Sequence, residues 1–140
     1  MSILAAYAVP HPPLIIPAVG EGRERKINAT VRAYHEVMHA AAELHPDTVV
    51  IISPHATAYD DFFHISPSAA AEGSFAAFGH PEITVGIEYD TDFVRALSSA
   101  ARARDVSAGT LGEKNAALDH GTMIPLFFLS EYLGDAPTKF

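Results

Sequence analysis

Eight histidines carry most of the chemical potential of this 140-residue sequence, and cysteine is absent. Disulfide scaffolds, thiolate zinc sites and thiol nucleophiles are thereby excluded. The histidines fall into two groups worth testing. One is local: residues 35–45 read HEVMHAAAELH, so His35, Glu36 and His39 match H-E-x-x-H, the helix-borne zinc pair with its general base. His45 even stands where a longer metalloprotease pattern puts its third ligand. The other group is dispersed: His11, His55 and His120 each follow or open an expected element of secondary structure.

Geometry counts against the local group. The protease pattern needs a glycine three residues after its second histidine, so that the chain can leave the helix and bring the third ligand round. Here that position is Ala42, inside the strong helix former AAAEL. One uninterrupted helix over residues 35–45 would carry His45 about 15 Å along the axis from His35. Zinc–nitrogen bonds are about 2 Å, so the three could not share an ion. The zinc-protease reading therefore ranks last, and His35 and His39 read as half-exposed residues on the flank of a surface helix.

The dispersed group is better placed. His11 follows a first apolar run, and His55 follows a second by two residues. In a parallel sheet both would fall at the carboxyl edge, where open α/β folds put their ligand crevice. Pro10, Pro12, Pro13 and Pro54 bracket them and stiffen the loops. His120 lies between Asp119 and Gly121 at an expected helix start, where the partial positive charge disfavours imidazolium. A neutral imidazole near pH 7 can accept a proton. His64, on a short strand, and His80, before Pro81, read as ordinary polar residues.

The elements that must position these side chains alternate strand and helix. Residues 2–9 read as a buried strand, and PHPPLIIP as an extended, stiff loop. Ile27, Val31, Tyr34, Met38 and Ala41 form an apolar stripe, which predicts a helix over residues 21–44 ended by His45-Pro46-Asp47. TVVIIS, residues 48–53, reads as a strand covered on both faces and parallel to the first. Residues 62–66 and 83–88 predict further strands, residues 69–79 a loop, and residues 106–116 a connection. Asp90 is the expected N-cap of a helix running to Arg104, and Asp119 that of a last helix, with Pro125 placed near its first turn. A further strand is expected to begin in DAPTKF, at residues 135–140. The pattern is α/β, in one domain.

Composition narrows the function. Hydrophobic residues make up 49% and charged residues 19%, enough apolar material for a core. Acids outnumber bases 17 to 9, for a net charge of −8. That argues against nucleic acid and against an anionic membrane surface as partner. No apolar run reaches the roughly 18 residues of a membrane span, and the N-terminus lacks the basic region of a signal peptide. A cytoplasmic domain is expected.

HPPLIIPAVGEGRE, SPHAT, GSFAAFGHPEI and LDHGTMIPLFFL occur in this order along nearly the whole chain. Together they resemble the class III extradiol ring-cleavage dioxygenases, more narrowly the branch of AmmeMemoRadiSam systems related to Memo-like proteins. The resemblance implies an α/β fold with a mixed central sheet flanked by helices, of which residues 1–140 would be the N-terminal portion. It implies a non-haem Fe(II) site that opens catecholic rings with O₂, with Zn(II) as the substitute ion. His11 and His55 match the family's metal-binding histidines, and His120 matches an acid–base histidine. The family's third ligand, usually a glutamate, has no match here: Asp60, Asp61, Glu88 and Asp90 fall outside the motif. The implied partners are a small catecholic substrate and O₂, with a homo-oligomer or a second polypeptide completing the fold. The competing reading is a non-oxidative Memo-like module acting through metal or partner binding.

Overall fold

The helix at the centre of the molecule, α4 (His120–Leu133), carries Met123, Ile124, Pro125, Leu126, Phe128 and Leu129, all buried. With so few polar side chains it has little to offer water and must be wrapped over most of its length. A computed structural model shows how, for residues 2–114, 116–134 and 138–140. The remaining elements are α1 (Pro17–Gly20), α2 (Asn28–Glu43), β1 (Phe63–His64), β2 (Ala70–Phe75), β3 (His80–Glu88), α3 (Thr91–Arg102) and β4 (Ala108–Gly109).

Helix α2 covers one side of α4. Its stripe falls as the spacing predicts, with Tyr34 and Met38 buried and Ile27, Val31 and Ala41 packed against the core. Tyr34 meets Phe128 at a ring-centroid distance of 4.9 Å. The helix starts later than expected, because Glu21 and Gly22 adopt left-handed backbone and Arg23–Ile27 forms a 3₁₀ turn. It also stops earlier. His45 is left-handed at φ 47°, its N–H donating to the Ala42 carbonyl, and Pro46 follows. Residues 35–45 are therefore not one uninterrupted helix.

The hairpin of β2 and β3 covers the other side. It is antiparallel, with a register irregularity between Ser74 and Phe75. The expected loop at residues 69–79 is thus mostly strand, followed by the 3₁₀ turn Ala76–Phe78. Alanine and glycine hid it. Gly73 has a packing reason: a Cβ there would lie 2.5 Å from the Leu118 carbonyl oxygen and 2.6 Å from Met123 Sδ. The Leu118 N–H donates to the Glu72 carbonyl at 3.1 Å, which fixes the chain just before α4.

Two expected strands are absent. Residues 2–8 are exposed and unpaired among the described residues, with Ile3 89% exposed. Over residues 48–53 only Thr48 pairs, in a parallel bridge to Lys139. Val49 and Ile51 pack on the core, while Val50 and Ile52 are 61% and 93% exposed. The apolar pattern records a demand for cover, but a strand also needs a hydrogen-bonding neighbour, and the two runs do not pair with each other. The parallel pair is instead β1 with β4, and the sheets among the described residues are two small separate ones. PHPPLIIP is only partly extended: Pro13 and Pro17 each open a short turn, where a missing N–H costs nothing. Pro125 lies in the second turn of α4, deeper than expected, and is buried. A helix held by packing rather than propensity tolerates one lost bond. Residues 135–137 lie outside the described residues, and residues 138–140 run beside Asp47 and Val49 through backbone bonds of Lys139. No helix among the described residues is long and apolar enough to cross a membrane.

Asp90 ties three segments together. Its carboxylate caps α3 by accepting from Phe93 N at 2.9 Å and takes the Thr48 hydroxyl at 2.6 Å. Its own N–H donates to the Phe140 carbonyl at 2.7 Å. The Thr48 hydroxyl, then the Phe93 N–H, hold its carboxyl below the usual carboxylate range. A group depressed on folding stabilises above its unfolded pKa, and that contribution fades as pH falls through the folded value. Asp90→Ala should therefore cost about 1–2 kcal/mol at pH 7 in urea unfolding. The gap between wild type and variant should shrink below about pH 4.

Candidate metal centre

The N-terminus of α4 is where the dispersed histidines meet. His120 is the first residue of the helix, and Asp119 caps it, accepting from Thr122 N at 3.2 Å and from Thr122 Oγ1 at 3.1 Å. His11 arrives on the proline-bracketed segment before the turn at Pro13–Ile15, whose Ile15 and Ile16 are fully buried and pin it to the core. His55 arrives from the other side at the end of the 48–53 segment, two residues past Ser53.

His11 Nε2 and His55 Nε2 lie 2.9 Å apart and share a hydrogen bond. The His120 ring lies over His55 at a centroid distance of 4.1 Å and an interplanar angle of 34°, and 5.7 Å from His11. One nitrogen from each of the three falls within 4.8 Å of the others. Two ligands on one ion with bonds of about 2 Å stand about 3 Å apart, so the donor set fits a metal. Among the described residues, no carboxylate joins the cluster. Asp119 is otherwise engaged: Ser53 Oγ donates to its Oδ1 at 2.6 Å.

Electrostatics follow from this packing. Partial burial, then the neighbouring His55, push the His120 pKa below the ordinary histidine value; Asp119 pulls it back, and His11 lowers it further. At neutral pH the ring is thus uncharged and able to take a proton. Burial would raise the Asp119 carboxyl, but the hydrogen bonds from Ser53 and Thr122 outweigh it and hold the group ionised. Phe78, from the hairpin turn, stands edge-on to His120 at 5.4 Å.

The other histidines are elsewhere. His35 Nδ1 bonds Tyr132 Oη at 2.8 Å, across the α2–α4 contact. His39 faces Glu43 one turn along its own helix at 3.8 Å. They form no metal-sized cluster with His45 among the described residues. His64 packs near Tyr59, and His80 bonds Glu82 at 2.9 Å. Two contributors escaped the sequence reading. Ser53 carried a signal, a hydroxyl two residues from His55; Phe78 carried none, because its turn lay in the expected loop.

In an α/β chain, converging imidazoles at the start of a buried helix form a candidate metal site, and comparison with known sequences gives the family. Residues 5–139 match the catalytic LigB subunit of aromatic ring-opening dioxygenase, and the chain belongs to that family. It is also similar to Protein CA_C1420 of Clostridium acetobutylicum, 32% identical over 139 residues. That alignment takes in 94% of this chain and 30% of the relative, so the chain spans about 30% of the length of the curated protein it matches.

Gly121 sets how closely the cluster packs. A Cβ there would stand 2.6 Å from Ser53 Oγ and 2.9 Å from both Asp119 Oδ1 and His55 Cδ2. Gly121→Ala should cost about 1–3 kcal/mol through overpacking, against about 1 kcal/mol of improved helix propensity. Far-UV dichroism should keep its helical signal, while urea unfolding reports the net loss.

Proposed function

We propose that the chain contributes the histidine part of a non-haem Fe(II) site in an extradiol dioxygenase that opens catecholic rings with O₂. The observation that carries this reading is the 2.9 Å approach of the His11 and His55 Nε2 atoms beneath the His120 ring. In it, His11 and His55 are metal ligands and His120 is the acid–base residue. Fe(II) held there would supply the redox chemistry by which O₂ adds across the ring bond beside the diol. His120, neutral at the working pH, takes a phenolic proton from the substrate and returns it during ring opening. The Phe78 ring packs against that imidazole at 5.4 Å.

Residues 1–140 are, in this proposal, the N-terminal portion of a larger domain. The alignment to 30% of the relative supports it, as do the bare apolar side chains of Val50 and Ile52. Other polypeptide then supplies the carboxylate that completes a two-histidine, one-carboxylate set. It comes from the rest of a longer chain, a second polypeptide or a second copy, in a cytoplasmic enzyme.

A second reading has its own observation. The His120 nitrogen falls within 4.8 Å of the other two, so three histidines can serve as ligands. Such a set suits Zn(II) and the non-oxidative, Memo-like alternative.

The two readings part at His120. Iron content after anaerobic loading, beside ring opening of a catechol in air, should be measured on a polypeptide extended beyond this chain. His120→Ala should keep the iron and slow the reaction about 10²–10⁴-fold. His11→Ala and His55→Ala should each abolish metal uptake. Metal lost with His120→Ala would favour the three-histidine site. Full metal with no ring opening of any catechol would sink the dioxygenase reading. The 140-residue chain alone should hold Fe(II) weakly, two neutral donors offering no charge to the dication.

A further inference from the structure

Asp119 caps α4 through one set of bonds, but its Oδ1 also takes a hydroxyl from a different part of the chain. Ser53 Oγ donates to that oxygen at 2.6 Å and accepts from the His55 N–H at 3.3 Å. The hydroxyl uses its proton on one loop and a lone pair on the other. Among the described residues, no other hydrogen bond joins residues 53–57 to residues 119–122. Pro54, between Ser53 and His55, restricts Ser53 to extended backbone, so fixing the serine fixes the histidine. Gly121 leaves room for the hydroxyl, which occupies the space a Cβ would need.

We infer that Ser53 is a positioning residue: its hydroxyl bridges the His55 loop to the Asp119 cap and so holds His55 against His120. This rests on the reading of His55 as a ligand and His120 as the proton-handling residue beside it. Asp119 sits one residue before His120 and two residues before Gly121, so the bridge sets the loop's distance from the ring as well as its direction. A half-buried serine that merely satisfied its own hydroxyl would affect neither the ring contact nor ion binding.

The test uses the 140-residue chain with two readouts. The first is the nuclear Overhauser contact between the His55 and His120 ring protons in chelator-treated protein. The second is Co(II) affinity, followed by its visible absorption. Ser53→Ala should weaken the ring contact and lower Co(II) affinity about 10-fold or more, the scale for losing a group that orients a ligand. The urea midpoint should move little. Ser53→Thr should restore both readouts, because it keeps the hydroxyl and suits extended backbone. Asp119→Ser keeps a capping oxygen but shortens the reach, and should reproduce the loss from the other end; it also serves if Ser53→Ala fails to fold. An unchanged ring contact in Ser53→Ala, or no rescue by threonine, would overturn the inference. A wild-type chain that holds Co(II) too weakly to follow would reflect the missing carboxylate rather than Ser53. The ring contact would still decide the role of Ser53.

Discussion

A helix that is apolar on nearly every side constrains everything around it. α4 cannot lie on the surface, so α2, the β2–β3 hairpin and the segment ending at Ile16 close over it. The hairpin, through Phe78, and the segment carrying His11 both reach the start of the helix. Burial fixes the helix; the helix start fixes where polar groups can gather, because its first N–H groups need acceptors. Asp119 meets that need and leaves an oxygen for Ser53. The histidines collect where the wrapping leaves an opening.

The ring environments differ within this small cluster. His55 is exposed, His11 and His120 half-buried, and Phe78 stands against His120 alone. Partial burial and the neighbouring His55 push the His120 ring toward neutrality, in a chain whose net charge is −8. A neutral donor that accepts protons beside a position suited to a cation is a combination that bulk acidity alone would not produce. It comes from local desolvation and from neighbours that are themselves imidazoles.

Helices were the readable part of the sequence because their evidence is local. The stripe from Ile27 to Ala41 and the caps Asp90 and Asp119 each depend on residues within a few positions. Strands were less readable because pairing is remote. TVVIIS has every side chain of a covered strand and almost none of the ladder, while β2, built of Ala, Glu, Gly, Ser and Phe, has the ladder and few of the expected side chains. Partner backbone decides such cases, and no window on the sequence contains it. His11, His55 and His120 were legible as candidates from proline brackets and an N-cap. The approach of His11 to His55 was legible too, from their shared strand-end placement and the family resemblance, and it holds at 2.9 Å; the paired parallel strands expected to carry it do not form. HEVMH shows the reverse error, a complete short pattern whose histidines answer to Tyr132 and Glu43.

The anchor at Asp90 and the histidine cluster are the two ends of one closed frame. One arm runs from Thr48 to His55, at most about 25 Å of chain; the other runs back along β3 from Glu88 to His80, about 26 Å. They start together at the Thr48–Asp90 bond and come together again around His120, where His55 and Phe78 both touch the ring. Because the arms are joined at both ends, a change in one shifts its contact with the other. An inserted residue in the 49–54 stretch would carry His55 past its neighbours unless the hairpin grew to match. Relatives of this chain should then vary in length outside this frame, in segments such as residues 103–117, and change the two arms only as a pair.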